Sequence, residues 1–410
     1  AVEQVSLEGY VPSLQKKYKE EIVAKLMKDF GYKSVMQVPV LKKITINQGM
    51  GQAVADKKLI EVAQQELTLI TGQKALLTYS RKDISNFKLR KGMPDKTVAM
   101  NPVTDFDCPD PSIVKVGEWF YCFKTGYPIK IYRSRDLCNW TYYRDMFPGP
   151  SPHDPYGDGK LDPMKTGAGK QNINYWAPSP ALIQGKLVVY LTLFVSMEND
   201  RQVVCVADDI DSPFRYVNTL NVGTPEHPTP QDGQYFLDDD GKHYLVYGDV
   251  NSKGNFIREL ATDGIHYAKG SKPHYITTAY EGGYIYKHKG LYYFFCSKNH
   301  FNNYEYTLCL STSSQLLSGW TEPEPILTSK SPDAILNGAG HNGEIITDKA
   351  GRMFMIMHAH CEGLIPRRGD YRPRPMILME LKDINGRLTF VDHKGNPTAH
   401  PTWFVSRPEF

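Results

Sequence analysis

The first hundred residues of this 410-residue chain contain no cysteine, no histidine and no tryptophan. All 7 cysteines, all 12 histidines and all 5 tryptophans come later. The cysteines are odd in number and scattered without C-x-x-C spacing, which argues against a disulfide framework and against a zinc cluster. No apolar run approaches the roughly 18 residues a membrane span requires. The first residues lack a basic stretch followed by an apolar core, so no secretory leader is legible. These absences lean towards a cytoplasmic protein, with the periplasm or the cell exterior as alternatives. Neither sign of charge dominates the whole, since the net charge is only +3. Residues 1–99, however, carry 17 Lys/Arg against 10 Asp/Glu, and residues 100–410 carry 31 against 35. Two compositionally different pieces meet near Pro94–Pro102.

What the longer piece does contain is a repeat. Asp110-Pro-Ser-Ile-Val-Lys-Val-Gly117, Ser179-Pro-Ala-Leu-Ile-Gln-Gly185, Asp232 to Gly241, Glu281 to Gly290 and His341 to Gly351 each read as an apolar strand closed by a turn at glycine. An aromatic or aliphatic strand follows every time: Trp119–Phe123, Leu187–Leu191, His243–Tyr247, Leu291–Phe295 and Met353–Met357. The turn glycines lie 68, 56, 49 and 61 residues apart. Strand-built repeats of that period point to a propeller, and 26 Tyr among the aromatics suit β-structure and sugar-binding surfaces. The first strand of each blade runs along the central axis, so the opening residues Asp110, Ser179, Asp232, Glu281 and His341 should converge on one cavity. Several carboxylates around a pocket suit acid/base chemistry.

The shorter piece is patterned differently. Leu14, Tyr18, Ile22, Leu26 and Phe30 fall at helical spacing, with Gly31 as the stop. A strand is expected over 41–47, a turn over 48–51, a helix from a cap at Asp56 to Thr71, and a second strand over 75–79. Residues 80–94 form a basic extended segment. Tyr10-Val-Pro-Ser-Leu, residues 30–39, Leu67-Thr-Leu-Ile-Thr-Gly-Gln-Lys74 and residues 83–94 carry a dense likeness. This segment resembles the amino-terminal half of the bacterial large-subunit ribosomal protein that binds 5S rRNA. The resemblance implies a partial α+β domain over 1–96 that lacks the rest of its sheet. Its basic face could meet RNA phosphates, but half a sheet with an open edge is a poor recognition platform. A passenger segment, with no nucleic-acid partner, is the expectation.

Residues 100–410 resemble glycoside hydrolase family 43, on Asn101-Pro-Val, Cys108-Pro-Asp-Pro-Ser-Ile-Val, residues 131–140, Tyr175-Trp-Ala-Pro178, residues 231–241, Tyr280-Glu-Gly and Gly340-His-Asn. The resemblance implies an all-β five-bladed propeller that hydrolyses xylose- or arabinose-containing oligosaccharides of the plant cell wall, with no membrane partner. It places Asp110 as general base, Glu281 as general acid and Asp232 as the carboxylate that tunes and orients the acid. Trp176 is expected to stack on sugar and Arg374 to contact sugar hydroxyls and the base, although Arg367, Arg368 and Arg372 are close alternatives. A His at the place of His341 implies contact with a hydrated divalent cation, calcium above all; a hydrogen-bonded histidine without metal is the other reading. Asp110 can also be read as a turn cap, Asp232 as an Asp-Gly turn residue, and Glu281 as a solvated edge residue. Asp238, Asp239 and Asp240 read as solvated turn residues, and His358 and His360 as wall residues. An exo-acting β-xylosidase or α-L-arabinofuranosidase is the leading expectation, because segments 151–174 and 361–372 can wall off one end of a groove. An endo-arabinanase, a non-catalytic carbohydrate binder and an RNA-binding fusion are the alternatives.

Overall fold

In the computed structural model the described residues are 11, 13–40, 58–71, 73, 75–76, 98–148, 174–194, 200–222, 230–249, 254–278, 280–332 and 334–410. The chain divides into two compact units, Ala1–Pro94 and Asp95–Phe410. No helix among the described residues is long and apolar enough to cross a membrane.

The first unit is helical where it is described. Ser13–Phe30 runs as one helix with a π-helical turn at Tyr18–Ile22. Gly31, at φ 64°, ends it by donating its N–H to Met27 O, a role that needs a left-handed residue. Ser34 and Gln37 form a capping box on the short turn that follows. A second helix spans Lys58–Thr71. The expected strand over 41–47, the turn over 48–51, the Asp56 cap and the segment 80–94 lie outside the described residues, as does most of the strand expected over 75–79. The apolar stripe of the first helix buries no residue.

The second unit is a five-bladed propeller. Each blade is a four-stranded antiparallel sheet made of consecutive strands. Blade I starts with Ser112–Val116, blade II with Asn174–Ile183, blade III with Pro230–Leu237, blade IV with Glu281–His288 and blade V with Leu336–Thr347. These five strands are the inner ones, and each touches the inner strand of the next blade round the ring. The turn glycines Gly117, Gly185, Gly241, Gly290 and Gly351 all take positive φ, between 60° and 81°, which explains glycine at the end of every first strand.

The core is not one cluster but five, one between each pair of neighbouring blades. Side chains alternate across a strand, so adjacent residues of each second strand feed two different cores. Tyr190 packs between blades II and III while Leu191 packs between I and II. Phe294 packs between III and IV while Phe295 packs between IV and V. Both faces of a blade are covered, which is why these strands read as unbroken apolar runs rather than as alternation. Each fully buried aliphatic or aromatic side chain contributes about 1.5–3 kcal/mol.

Because every blade is made of consecutive strands, the ring must be closed by other means. Val98–Met100 pairs with Phe404–Ser406, joining the two ends of the propeller. The buried Asn101 side chain donates to Leu378 O (2.7 Å) and Thr402 O (2.9 Å) and accepts from Leu378 N (2.8 Å). Glu344 of blade V accepts from Ser112 Oγ and Ile113 N of blade I, both at 2.5 Å.

Candidate active site

A left-handed residue opens the axial end of every blade: Asp110 (φ 50°), Ala177 (43°), Asp232 (56°), Gly282 (64°) and His341 (42°). In blades II to V the pairing between first and second strand shifts register at this point, which is the mark of a bulge. Such a φ costs a non-glycine residue on the order of 1–3 kcal/mol. The backbone N–H of each of these residues is held by a side chain of the blade before it. Asp110 N donates to His358 Nδ1 (3.2 Å), Ala177 N to Thr125 Oγ1 (2.8 Å), and Asp232 N to Thr192 Oγ1 (2.9 Å). Gly282 N donates to Asp232 Oδ2 (3.0 Å) and His341 N to Ser297 Oγ (2.8 Å). Four of these acceptors lie on, or two residues beyond, a second strand. In blade III the corresponding place is Gly248, opposite Gln231, which has no side chain to offer. Asp232 takes over the role there, so its carboxylate is fastened beside Glu281.

This register corrects one alignment made from the repeats. The residue of blade II equivalent to Asp110 is Ala177, not Ser179. Ser179 lies two places further on and donates to Gln234 Oε1 at 2.9 Å. Glu281 likewise precedes the left-handed position of its blade, which is Gly282. A Cβ on Gly282 would lie 2.9 Å from His341 Cγ, so only glycine lets the histidine pack there.

The structure brings Asp110, Asp232, Glu281, His341 and Arg374 together. Asp110 Oδ2 accepts from Thr125 Oγ1 at 2.5 Å. Its Oδ1 faces Arg374 Nη1 (3.1 Å), His358 Nδ1 (3.3 Å) and His341 Nδ1 (3.4 Å). Burial alone would raise its pKa, but Arg374 first and His341 second outweigh that and hold the carboxyl well below the usual range. His358 is itself buried, and burial with the Arg374 charge pushes its pKa down to about 3. The imidazole is therefore neutral and accepts the Asp110 N–H.

Glu281 has the opposite environment. Burial first, and the Asp232 charge second, push its pKa up to about 7. It is partly accessible, and Tyr306 donates a short hydrogen bond to its Oε1. Asp232 is raised by burial, an effect opposed by His341 and reinforced by Asp110. Two carboxyl groups of one site are thus held in opposite protonation states near neutral pH, the arrangement that separates an acid from a base.

Arg374 is the arginine at Asp110. Its backbone N–H is fixed by Asp107 (2.8 Å), and its guanidinium lies 4.4 Å from the Phe301 ring. Arg372 instead pairs with Glu362 and Asn337, and Arg367 pairs with Glu362. Trp176 immediately precedes Ala177 and stacks on Phe194 at 4.4 Å. Of the turn aspartates, Asp238 is not solvated. It accepts from Lys287 and Tyr292, both at 2.8 Å, which ties the blade III turn to blade IV. His360 contacts the carbonyls of Phe301 and Pro373, as a wall residue would.

His341 Nε2 is buried without a partner. It is a single nitrogen donor, and no group of three His, Cys, Asp or Glu among the described residues converges on a cation position. Calcium takes 6–8 oxygen ligands, so these side chains do not make a calcium cage.

Sequence reasoning missed Tyr306 and Thr125, and it read His358 as wall. None of the three opens a repeat; each comes from a second strand or a loop beyond one. Spacing along the chain therefore gave no signal for them.

Residues 34–90 match the ribosomal protein L5 family model. Over 82 residues the chain is 70% identical to the large ribosomal subunit protein uL5 of Parabacteroides distasonis and 71% identical to that of Porphyromonas gingivalis. This stretch is 20% of the chain, and it spans 44% of those relatives, less than half their length. Among solved structures the fold resembles the GH43 BlXynB protein of Bacillus licheniformis, with TM-score 0.58 and 21% identity over 76% of this chain and 59% of that one. It resembles equally a xylan β-1,4-xylosidase of Bacillus halodurans, with the same TM-score, identity and coverage. The α-L-arabinanase of Cellvibrio cellulosa, with TM-score 0.58 and 18% identity, is matched over 70% of this chain and 96% of its own. The model of glycosyl hydrolases family 43 matches residues 99–381, more than half of the chain, and the chain belongs to that family.

Proposed function

We propose that the propeller is an inverting exo-glycosidase that releases xylose or arabinose from plant cell-wall oligosaccharides. The observation that carries this reading is the split between Asp110, held ionised, and Glu281, held protonated up to about pH 7. Asp110 accepts a proton from water as the water oxygen bonds to the anomeric carbon. Glu281 gives its proton to the glycosidic oxygen as the bond from carbon to that oxygen breaks. Both groups are restored by exchange with solvent. Asp232 keeps the acid protonated through its charge and fixes the backbone beside it through Gly282 N–H. Arg374 keeps the base ionised, and its remaining donors face sugar hydroxyls. The open face of Trp176 serves as the sugar platform.

Exo action is supported by the loop of residues 361–372, which is fastened to blade IV. Asn302 Nδ2 donates to Asp370 O, and Arg372 N donates to Asn302 Oδ1, both at 2.8 Å. Residues 151–173, the other segment expected to wall off the groove, lie outside the described residues. An endo-arabinanase is the second reading, since this propeller accounts for 96% of the arabinanase chain it resembles but only 59% of the xylosidase. A divalent cation would have His341 Nε2 as its protein ligand and water for the rest. The steps above run through carboxylates and need no ion.

The test is hydrolysis of nitrophenyl β-xyloside, nitrophenyl α-L-arabinofuranoside and linear arabinan, each with and without EDTA. Nitrophenol release with only monosaccharide from arabinan supports the exo reading. Arabinan shortening without nitrophenol release replaces it with the endo one. Loss in EDTA and recovery with calcium would make His341 a metal ligand.

A further inference from the structure

Tyr306 stands just before the third strand of blade IV, Thr307–Ser313, and is fully buried. It belongs to no repeat opening, yet it connects the two halves of the site. Its hydroxyl donates to Glu281 Oε1. The hydroxyl oxygen is met by Ser297, whose Oγ also takes the His341 N–H at 2.8 Å. Its ring stacks on His358, with centroids 5.5 Å apart and planes 11° from parallel, and His358 holds the Asp110 backbone. Blade V leaves room for this arrangement by placing Gly340 beside it. A Cβ there would come within 2.4 Å of Tyr306 Cε1 and 2.8 Å of Ser297 Oγ.

We propose that Tyr306 is a positioning residue for the acid step, which selects the oxygen of Glu281 that carries the transferable proton and holds the carboxylate that transfer leaves behind. The proposal rests on the reading of Glu281 as the acid. A carboxylic acid has one proton for two oxygens. With Oε1 occupied as an acceptor from Tyr306, the proton resides on Oε2 and leaves from there to the glycosidic oxygen. No proton moves from Tyr306, whose burial and neighbouring Glu281 charge hold its own pKa far above neutral. After transfer the same hydrogen bond becomes charge-assisted, which roughly doubles its strength. The gain is therefore larger in the product-like state than in the ground state, as catalysis requires.

The experiment is the pH dependence of kcat/KM for Tyr306→Phe, which keeps the ring and its stacking on His358 and removes only the donor. On an unactivated oligosaccharide we expect kcat to fall about tenfold with KM nearly unchanged, and the basic limb to move up by about one pH unit, because the carboxylate has lost a donor. A fluorinated tyrosine at 306, a stronger donor, should move the limb down. On a dinitrophenyl glycoside, whose leaving group needs no proton, the loss in kcat should shrink to about twofold. A folded variant whose basic limb does not move overturns the proposal, whatever happens to kcat, since a merely structural role would leave the limb in place. If Tyr306→Phe does not fold, Ser297→Ala should produce a smaller upward shift of the same limb, and an unmoved limb there overturns the proposal. Glu281→Gln separates the two levels. If it loses far more on the oligosaccharide than on the dinitrophenyl substrate, Glu281 is the acid and the Tyr306 result stands or falls alone. Equal losses on both overturn the acid reading, and this proposal with it.

Discussion

The two units of this chain differ in how sequence relates to structure. The first keeps 70% identity to a ribosomal protein over 82 residues, yet its described part hardly has an interior. Val38 and Ala63 are its only buried hydrophobics among the described residues, while Phe30 is 66% exposed, Leu69 83%, Ile70 75% and Met36 91%. The propeller has only 18–22% identity to the solved structures it resembles, yet Phe123, Tyr190, Phe294 and Phe295 are completely buried. Identity measures descent. A core depends on whether each apolar face is covered by a partner, and the matched stretch spans 44% of that relative's length. The propeller has all five blade interfaces, and each apolar face meets a neighbour.

The largest effect expected is chemical: Asp110→Asn and Glu281→Gln should each lower turnover at least about a hundredfold in protein that still folds. Near-normal rates in either would remove the propeller's functional side of the contrast. Next is packing. Phe294→Ala should destabilise the propeller by about 3–5 kcal/mol, whereas Met36→Ala should change stability by no more than about 0.5 kcal/mol. Comparable effects in a denaturant titration would show that the first unit has an interior after all.

A third test is pH. Glu281 and Glu344 both have folded pKa values raised to about 7 from an ordinary 4.5, chiefly by burial. A raised acid binds its proton more tightly when folded. Its contribution to stability is full below the unfolded pKa and is lost as pH rises through about 7. Melting temperature should therefore fall by a few degrees between pH 6 and pH 8.5, and Glu344→Gln should flatten part of that decline. Asp110 works in the other direction, since its lowered pKa gives stability that is present above pH 4 and lost in acid. Activity should fall on the basic side as Glu281 ionises, with an apparent pKa near 7. A basic limb above pH 9 would refute that assignment. The smallest effect expected is none: residues 95–410 alone should keep the kcat/KM of the full chain. A change of more than about threefold would show that the first unit bears on the site.

Much of the propeller was legible in the sequence because its determinants are local. A turn glycine at positive φ, a strand before it and an apolar strand after it are set within about a dozen residues, and the pattern recurs five times. The carboxylates Asp110, Asp232 and Glu281 were legible for the same reason, since each opens a repeat. The roles argued for them depend on neighbours that the repeat does not contain. Arg374 reaches Asp110 across 264 positions, and His358 across 248. Nothing in the local spacing of Arg367, Arg368, Arg372 and Arg374 distinguishes the one whose backbone Asp107 holds in place.

The repeat along the chain is enough to count five blades, to mark where they turn and to name the acidic residues at their axial ends. Packing between blades sets which residue of each opening takes the left-handed backbone, makes it Ala177 rather than Ser179 in blade II, and brings Tyr306 and His358 into the site. The physical reason is that hydrogen bonding, burial and charge act over a few ångströms in space, and in a closed ring the nearest neighbours of one blade come from the blades on either side of it.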